Sequence, residues 1–545
     1  MYIYDIHNIA WKDTLVKSQQ FAGVDRFFLR VMDSAQKNEK RIDFILRILY
    51  NLLIKYLKRK RGNTMEMMKE LENCQPELFF QWFQRICSIP HPSYHEEKLC
   101  DFLVEFARKR GLEYVRDEMH NLLIRVPATE GYEDVPSYLL QSHMDMVPAA
   151  DEGVTFDFLK DPIQLRVVGN ELRATGTTLG ADDGGGIAAM LSFVDDPQVK
   201  HPALELLFTV QEEVGMAGVR KFDFSQIKSR RMVNFDSGRT HNFCVSSAGS
   251  MTHVVQQQLP MEAADGDVVK IMIRGGLGGH AGLDIHKNRA CAGNVAGEML
   301  HLLGKEMSFR LCGFRCWSRS IFPCCDAEIV VPAGKYEQAK QTLEAVFAKV
   351  YSRYTRTDPN LCCRIEQGEG CVQALSEADS IRVKNLLFLL RTELRKCDVQ
   401  DQSIVLGSGS LLKASLTEGY LDYEYAIRAV EDSVRDQYGA LTEETLRLLG
   451  FPWTIGKHYG GWPMQTHSKL VELFDRKHEE LFGYPAGHRF VHGGIEVGDI
   501  VAAIPDMDAI AINLPMENAH TTNELLYIDR VPEFWALFTA VFAEK

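Results

Sequence analysis

The stretch YLLQSHMDMV, residues 138–147, joins an apolar run to a histidine and an aspartate two positions apart. Residues 138–141 read as a short buried strand, and the polar set SHMDMV (142–147) follows at its carboxyl end. Residues two apart on a strand share a face, so the Asp145 carboxylate can hydrogen-bond the His143 imidazole and fix its orientation. Outward from this point, short apolar strands alternate with helices from about residue 66. Strands are expected at Leu122–Val126, 203–210 and 232–235, and helices at 96–109 and 187–194. That alternation indicates an α/β layered sheet. Around Gly249 the style changes. Strands at 268–273, 327–331 and 421–429, with helices at 288–303, Tyr336–Tyr351, 381–395 and 443–449, describe a separate α+β segment. After GGWP (460–463) the α/β character resumes to the end.

Composition narrows the function classes. The chain has 545 residues, 61 Lys and Arg against 74 Asp and Glu, and a net charge of −13. At about 150 residues per domain, that length allows three or four domains or two large ones. Hydrophobic residues make up 46% and charged residues 25%, so a sizeable core is available and general disorder is excluded. An acidic body argues against nucleic-acid binding, which needs clustered Lys and Arg. The longest apolar runs, at 48–54 and 386–390, fall far short of the roughly 20 residues that a membrane span requires. Thirteen cysteines without paired CxxC spacing imply neither a zinc ribbon nor a disulfide framework. With no secretory signal at the N-terminus, reduced thiols in a cytoplasm are expected. Residues 1–61 differ from the rest, holding 13 Lys and Arg against 6 Asp and Glu, a local +7. Their helix-like part, 41–61, reads as a docked helix with a solvated basic end or as chain upstream of the real start at Met65. An amphipathic membrane-surface helix is the less favoured reading.

Five motifs at or just after strands carry the chemistry. They are SHMDMV, GTTLGADDGGG (176–186), TVQEEVG (209–215), NFDSG (234–238) and ENAHT (517–521). Any one alone is more often structural: a strand HxD, a solvated Glu pair, an Asp-Asp-Gly turn. All five in order in an α/β chain point instead to metal. Zn²⁺ takes imidazole nitrogen and carboxylate oxygen, and a paired site needs one bridging carboxylate with a histidine and a terminal carboxylate for each ion. Asp182 is expected to bridge, with His143 and Asp236 completing one metal site and Glu213 and His520 the other. Glu212, adjacent to a ligand, is expected to be the general base. Gly184, Gly185 and Gly186 are expected to let the backbone pass close to the metals before the helix begins.

These motifs, together with HAGLDIHKNRA (280–290) and HGGIEVG (492–498), resemble the aminoacyl-histidine dipeptidase (cytosolic non-specific dipeptidase) family of the di-zinc aminoacylase and carboxypeptidase clan. The similarity runs from about residue 66 to the C-terminus. It implies a three-layer α/β/α catalytic domain in two parts, 66–249 and 452–545, interrupted by an α+β lid and dimerisation domain at 250–451, with 1–65 as a basic extension. Ligand gaps of 39, 31 and 23 residues, followed by one of 284, are consistent with that insertion. The resemblance further implies that His280 reaches the substrate from the lid, that Arg428 binds its terminal carboxylate and that the Gly494 backbone lines it. Three positions depart from the family pattern: Ser320 stands at an expected asparagine, Asp183 at the metal-loop asparagine, and VLGSGS (405–410) lacks expected asparagines. They touch the substrate side and leave the metal set intact.

The expected protein is therefore a cytoplasmic metallopeptidase with two Zn²⁺ per chain, a homodimer through its lid, hydrolysing unblocked dipeptides, Xaa-His among them. Mn²⁺ and Co²⁺ suit the same ligands. The alternatives are a deacylase or carboxypeptidase of the same clan acting on N-acyl amino acids, and a metal-binding paralogue without catalysis.

Overall fold

Tyr138–His143 lies within an eight-stranded sheet of the order Glu113–Arg116, Leu122–Val126, Leu204–Thr209, Tyr138–His143, Arg231–Asn234, Asp508–Ala511, Asn242–Ser247, Gly487–Val491. The computed structural model describes residues 67–317, 320–369 and 372–545, so the expectations for residues 1–65 lie outside the described residues. Tyr138–His143 pairs in parallel with Leu204–Thr209 and with Arg231–Asn234, and the latter pairs in parallel with Asp508–Ala511. Four parallel neighbours therefore bring Thr209, His143, Asn234 and Ala511 to one edge, where open α/β sheets place ligand sites.

Parallel strands covered on both faces read as continuous apolar runs rather than alternating ones. Every residue of Tyr138–His143 and Leu204–Thr209 is buried. On one face Leu139, Leu207, Met232 and Ala509 pack with Val219, Ile495 and Ile500. On the other, the helices Ala181–Asp195 and Val531–Phe542 contribute an aromatic layer. Phe193 and Phe538 lie 4.6 Å apart, Tyr138 and Phe542 4.5 Å, and Phe235 and Phe538 5.4 Å. A four-stranded sheet, Met516–Glu517, Leu525–Tyr527, Glu171–Ala174 and Leu165–Val168, holds the loop after Ala174 beside the loop after Glu517.

The glycine run corrects one expectation. Gly184, Gly185 and Gly186 lie inside Ala181–Asp195, not ahead of it, and the backbone departs from helical angles at Asp182 and Asp183. Their smallness serves packing. A Cβ on Gly186 would stand 2.5 Å from Phe235 Cβ, whereas one on Gly184 would stand 3.3 Å from Ile86. Gly186→Ala is expected to cost about 1–3 kcal/mol by overpacking, with Gly184→Ala much milder, as read by denaturant unfolding.

Residues 249–459 form a second, antiparallel sheet of nine strands. Its order is Cys362–Gln367, Asp267–Arg274, Cys324–Val331, Arg310–Trp317, Val405–Thr417, Tyr420–Ala429, Gly249–Gln258, Thr454–Tyr459, with Glu393–Cys397 also on Val405–Thr417. One face of it is apolar: Leu421, Tyr423, Tyr425 and Ile427 alternate inward along one strand and share a core with Val295, Met299, Leu343 and Leu386. These come from the helices Ala292–Glu306, Tyr336–Tyr351 and Glu377–Leu389. The expected helix 381–395 therefore stops early. Leu390 turns extended and Glu393–Cys397 pairs with Val405–Thr417, because ladder hydrogen bonds override local helix propensity. The expected helix 443–449 begins earlier, at Asp432.

Among the described residues no helix is long and apolar enough to cross a membrane, and the twelve described cysteines are all free.

Candidate active site

Buried His143 ends its strand with the ring held from behind. Its Nδ1 lies 2.9 Å from the Asp145 carbonyl oxygen, which can only accept, so Nδ1 carries the proton. Nε2 faces Asp182 Oδ1 at 3.2 Å and Asp236 Oδ1 at 3.9 Å, oxygens that can likewise only accept, and despite burial these carboxylates and Asp145 hold the imidazole well above its usual range. The Asp145 carboxylate is farther from Nδ1, at 3.5 Å, so the main orienting contact is the backbone carbonyl. The carboxylate is used mostly elsewhere. It accepts from the Ser93 hydroxyl at 2.8 Å and from the backbone N–H groups of Glu212 at 2.9 Å and Glu213 at 3.2 Å. Asp145 thus ties the histidine strand to the Glu212–Glu213 turn. Despite burial, the His143 imidazole and these donors hold its pKa below the usual carboxylate range.

Asp182 stands between the two histidines. Its Oδ2 is 3.1 Å from His520 Nε2, and His520 Nε2 is 2.8 Å from Glu213 Oε1. One carboxylate therefore faces two imidazoles from opposite oxygens, the disposition a bridging ligand needs. Ligand atoms of His143, Asp182 and Glu213 lie within 4.8 Å of one another, and so do those of His143, Glu212 and Asp236. All seven expected residues, His143, Asp145, Asp182, Glu212, Glu213, Asp236 and His520, are brought together.

The electrostatics fit a cationic guest. Burial pushes Glu212 and Asp236 well above the usual carboxylate range, and neighbouring carboxylates push them further. His520 is raised to about 10 by its hydrogen bonds to Asp182 and Glu213. Four carboxylates crowd formal negative charge around two imidazoles, and the raised proton affinities of Glu212, Asp236 and His520 are its signature. Divalent ions relieve such crowding, and imidazole nitrogen with carboxylate oxygen is a donor set for Zn²⁺, Mn²⁺ or Co²⁺. The residues present fit a pair of them.

A second group gathers on the nine-stranded sheet. His280 Nδ1 accepts backbone N–H groups from Gly282 at 3.1 Å and Leu283 at 3.2 Å, so the proton of the neutral ring sits on Nε2. Burial and the Arg428 charge lower its pKa and keep it neutral. Arg428 donates to the Tyr459 hydroxyl at 3.1 Å, and its buried Nε has no partner. A Cβ on Gly494 would overlap the Tyr459 ring at 2.2 Å and lie 3.0 Å from Met216 Cε, so this cluster touches the turn that carries Glu212. Of the departures, Ser408 pairs opposite Arg428 in the ladder and its hydroxyl lies 2.7 Å from His492 Nε2. Ser320 is buried with its hydroxyl unpartnered, and Asp183 accepts from the Ser142 hydroxyl at 2.5 Å.

Four residues escaped the sequence reading. Glu96 accepts the N–H of Gln211 at 3.0 Å, and Glu524 receives three amides of the loop that carries Asp182. Glu496 accepts from Gln141 Nε2 at 2.6 Å and Thr209 Oγ1 at 2.5 Å beneath the site, and burial with the Arg428 charge pushes His492 down to about 3. The one available signal was position: Glu496 lies in HGGIEVG, and Glu524 follows His520 by four residues.

The chain is similar to known proteins over most of its length. The chain is 30% identical over 484 residues to the cytosol non-specific dipeptidase of Escherichia coli (strain K12), covering 88% of this chain and 99% of that protein. The structure of aminoacylhistidine dipeptidase from Vibrio alginolyticus matches with a TM-score of 0.80 at 28% identity, over 87% of this chain and 98% of that one. Aminopeptidase PepT from Bacillus cereus ATCC 10987 shares the fold, with a TM-score of 0.50 at 16% identity over 86% of this chain and 98% of its own. Residues 139–544, which hold every one of the ligand candidates, match the model of peptidase family M20/M25/M40, and the chain belongs to that family.

Proposed function

We propose that the protein is a metal-dependent dipeptidase that removes the bond of unblocked dipeptides, Xaa-His among them, with two Zn²⁺ held by His143 and Asp236, by Glu213 and His520, and by Asp182 between them. Mn²⁺ and Co²⁺ suit the same atoms. The observation that carries the reading is the convergence of these five side chains and Glu212 on one edge of the parallel sheet. Two such ions supply Lewis acidity to the scissile carbonyl and to the attacking water. Glu212 takes the proton of that water and returns it to the leaving amine, a role that suits a half-buried carboxylate whose proton affinity is already raised. Asp145 holds the Glu212 backbone in place by its 2.9 Å bond. His280, protonated on Nε2, donates to the carbonyl oxygen as negative charge develops there. Arg428 binds the terminal carboxylate of the substrate, and the Gly494 backbone lines the same end.

The two-part catalytic domain at 66–249 and 452–545 and the lid at 250–451 belong to this proposal, as do a homodimer formed through the lid and a cytosolic location like that named for the E. coli relative. The test is a substrate panel with the purified protein. Ala-His and other free-amine dipeptides should be cleaved, and N-acetyl amino acids should not. Cleavage of the acetylated compounds alone would establish the deacylase alternative, and two bound ions without any hydrolysis would establish the paralogue.

Arg428 gives a sharper arm of the same test. Arg428→Met should weaken binding by about 1.5–3 kcal/mol, roughly ten- to hundredfold in KM, because a hydrogen-bonded charge partner is lost. The wild type should discriminate Ala-His from its C-terminal amide, and the variant should lose that discrimination.

A further inference from the structure

We propose that Glu524 is a positioning residue that anchors the loop carrying Asp182 and thereby fixes Asp182 against His520. The proposal rests on the metal-ligand reading of those two residues. Asp182 and Asp183 have non-helical angles within Ala181–Asp195, so the regular helix starts only after them and the amides of 179–182 belong to the loop that leads into it. Gly180 in that loop has no side chain to supply an acceptor and sits at φ 73°, in the left-handed region that glycine tolerates. The acceptor comes from far along the chain. Glu524 Oε2 accepts the N–H of Leu179 at 2.8 Å and of Gly180 at 3.0 Å, and Oε1 accepts that of Asp182 at 3.2 Å.

Glu524 is suited to that work and to little else. It is only 2% exposed. Its named partners are backbone amides, and no Lys, Arg or His side chain among the described residues forms an ion pair with it. Three converging loop N–H groups make an anion-binding concavity, and the carboxylate fills it. The same short segment carries His520, and the Glu524 N–H returns to the Thr521 carbonyl at 3.1 Å. One side chain therefore joins two ligands that lie 338 residues apart and holds the 3.1 Å approach of His520 to Asp182. It acts through the loop and does not touch the substrate.

The test compares wild type with Glu524→Gln and Glu524→Asp. Glutamine keeps the size but places an NH₂ against backbone donors, whereas aspartate keeps the charge at a shorter reach. In metal-free protein, amide hydrogen exchange across 179–183 should be faster in Glu524→Gln while the core strands exchange as in wild type. Unchanged exchange at 179–183 overturns the proposal. With Zn²⁺ and a competing chelator, Glu524→Gln should bind at least one ion about ten- to hundredfold more weakly, the usual effect of losing a group that orients a ligand. At saturating metal, kcat should fall with KM within about twofold of wild type, and Glu524→Asp should recover part of both losses. Wild-type metal affinity and kcat in Glu524→Gln would also overturn the proposal. A wild-type protein that binds no divalent ion would instead sink the ligand reading, and the metal-free exchange experiment still reads the loop anchor by itself.

Discussion

Glu212→Gln is expected to lower kcat by about 10²–10⁴, the span that a positioned proton-transfer group contributes, while KM and bound metal stay near wild type. The argument is local. Glu212 stands next to the proposed ligand Glu213, with its own backbone fixed by Asp145 and its carboxylate near His143 and Asp236. Glutamine has the same shape and keeps an accepting oxygen there, but it cannot take a proton from water. A second readout separates chemistry from damage. Half-buried Glu212 has its proton affinity raised by desolvation and further by the charges of Glu213, Glu496 and Asp145. Removing its charge relieves that repulsion, so the metal-free variant should melt at or above the temperature of metal-free wild type. A variant that is inactive, metal-loaded and no less stable has lost the base and nothing else. Full activity in Glu212→Gln would move the role to another group.

Much of this site was legible because its residues obey short-range rules. Leu122–Val126 and Tyr336–Tyr351 fall where apolar content and periodicity place them, since a strand buried on both faces and an amphipathic helix announce themselves locally. The ligand motifs were legible for a related reason: parallel strands end together, so polar clusters after apolar runs meet in space. What stayed hidden depends on partners distant in sequence. Glu96 and Glu524 receive backbone amides from other loops, an interaction that leaves no pattern in the chain. The strand Glu393–Cys397 looked helical because its pairing partner, Val405–Thr417, decides its conformation. The glycine run was legible as backbone freedom but not as close packing on Phe235, which only the helix-to-sheet approach reveals.

The bridging position predicts a difference among the ligands themselves. Asp182→Ala should remove both ions, whereas His520→Ala or Asp236→Ala should leave about one bound, because only Asp182 faces both histidines. The loss has a thermal counterpart. Ions that bind only the folded state stabilise it by RT ln(1 + [L]/Kd), about 2.7 kcal/mol at a hundredfold excess over Kd, so adding Zn²⁺ to chelator-treated wild type should raise the melting temperature. In Asp182→Ala that rise should vanish, and hydrolysis of Ala-His should fall to background in step with metal content. In the single-site variants, the rise should shrink without disappearing. The metal-free baseline discriminates further. Asp182 is held below the usual carboxylate range by His143 and His520 against the cost of its burial, so its removal also deprives two imidazoles of their shared anion. Asp182→Ala should therefore be less stable than metal-free wild type, the opposite of Glu212→Gln. Two ions retained per chain in Asp182→Ala, by elemental analysis after gel filtration, would show that the bridge is elsewhere.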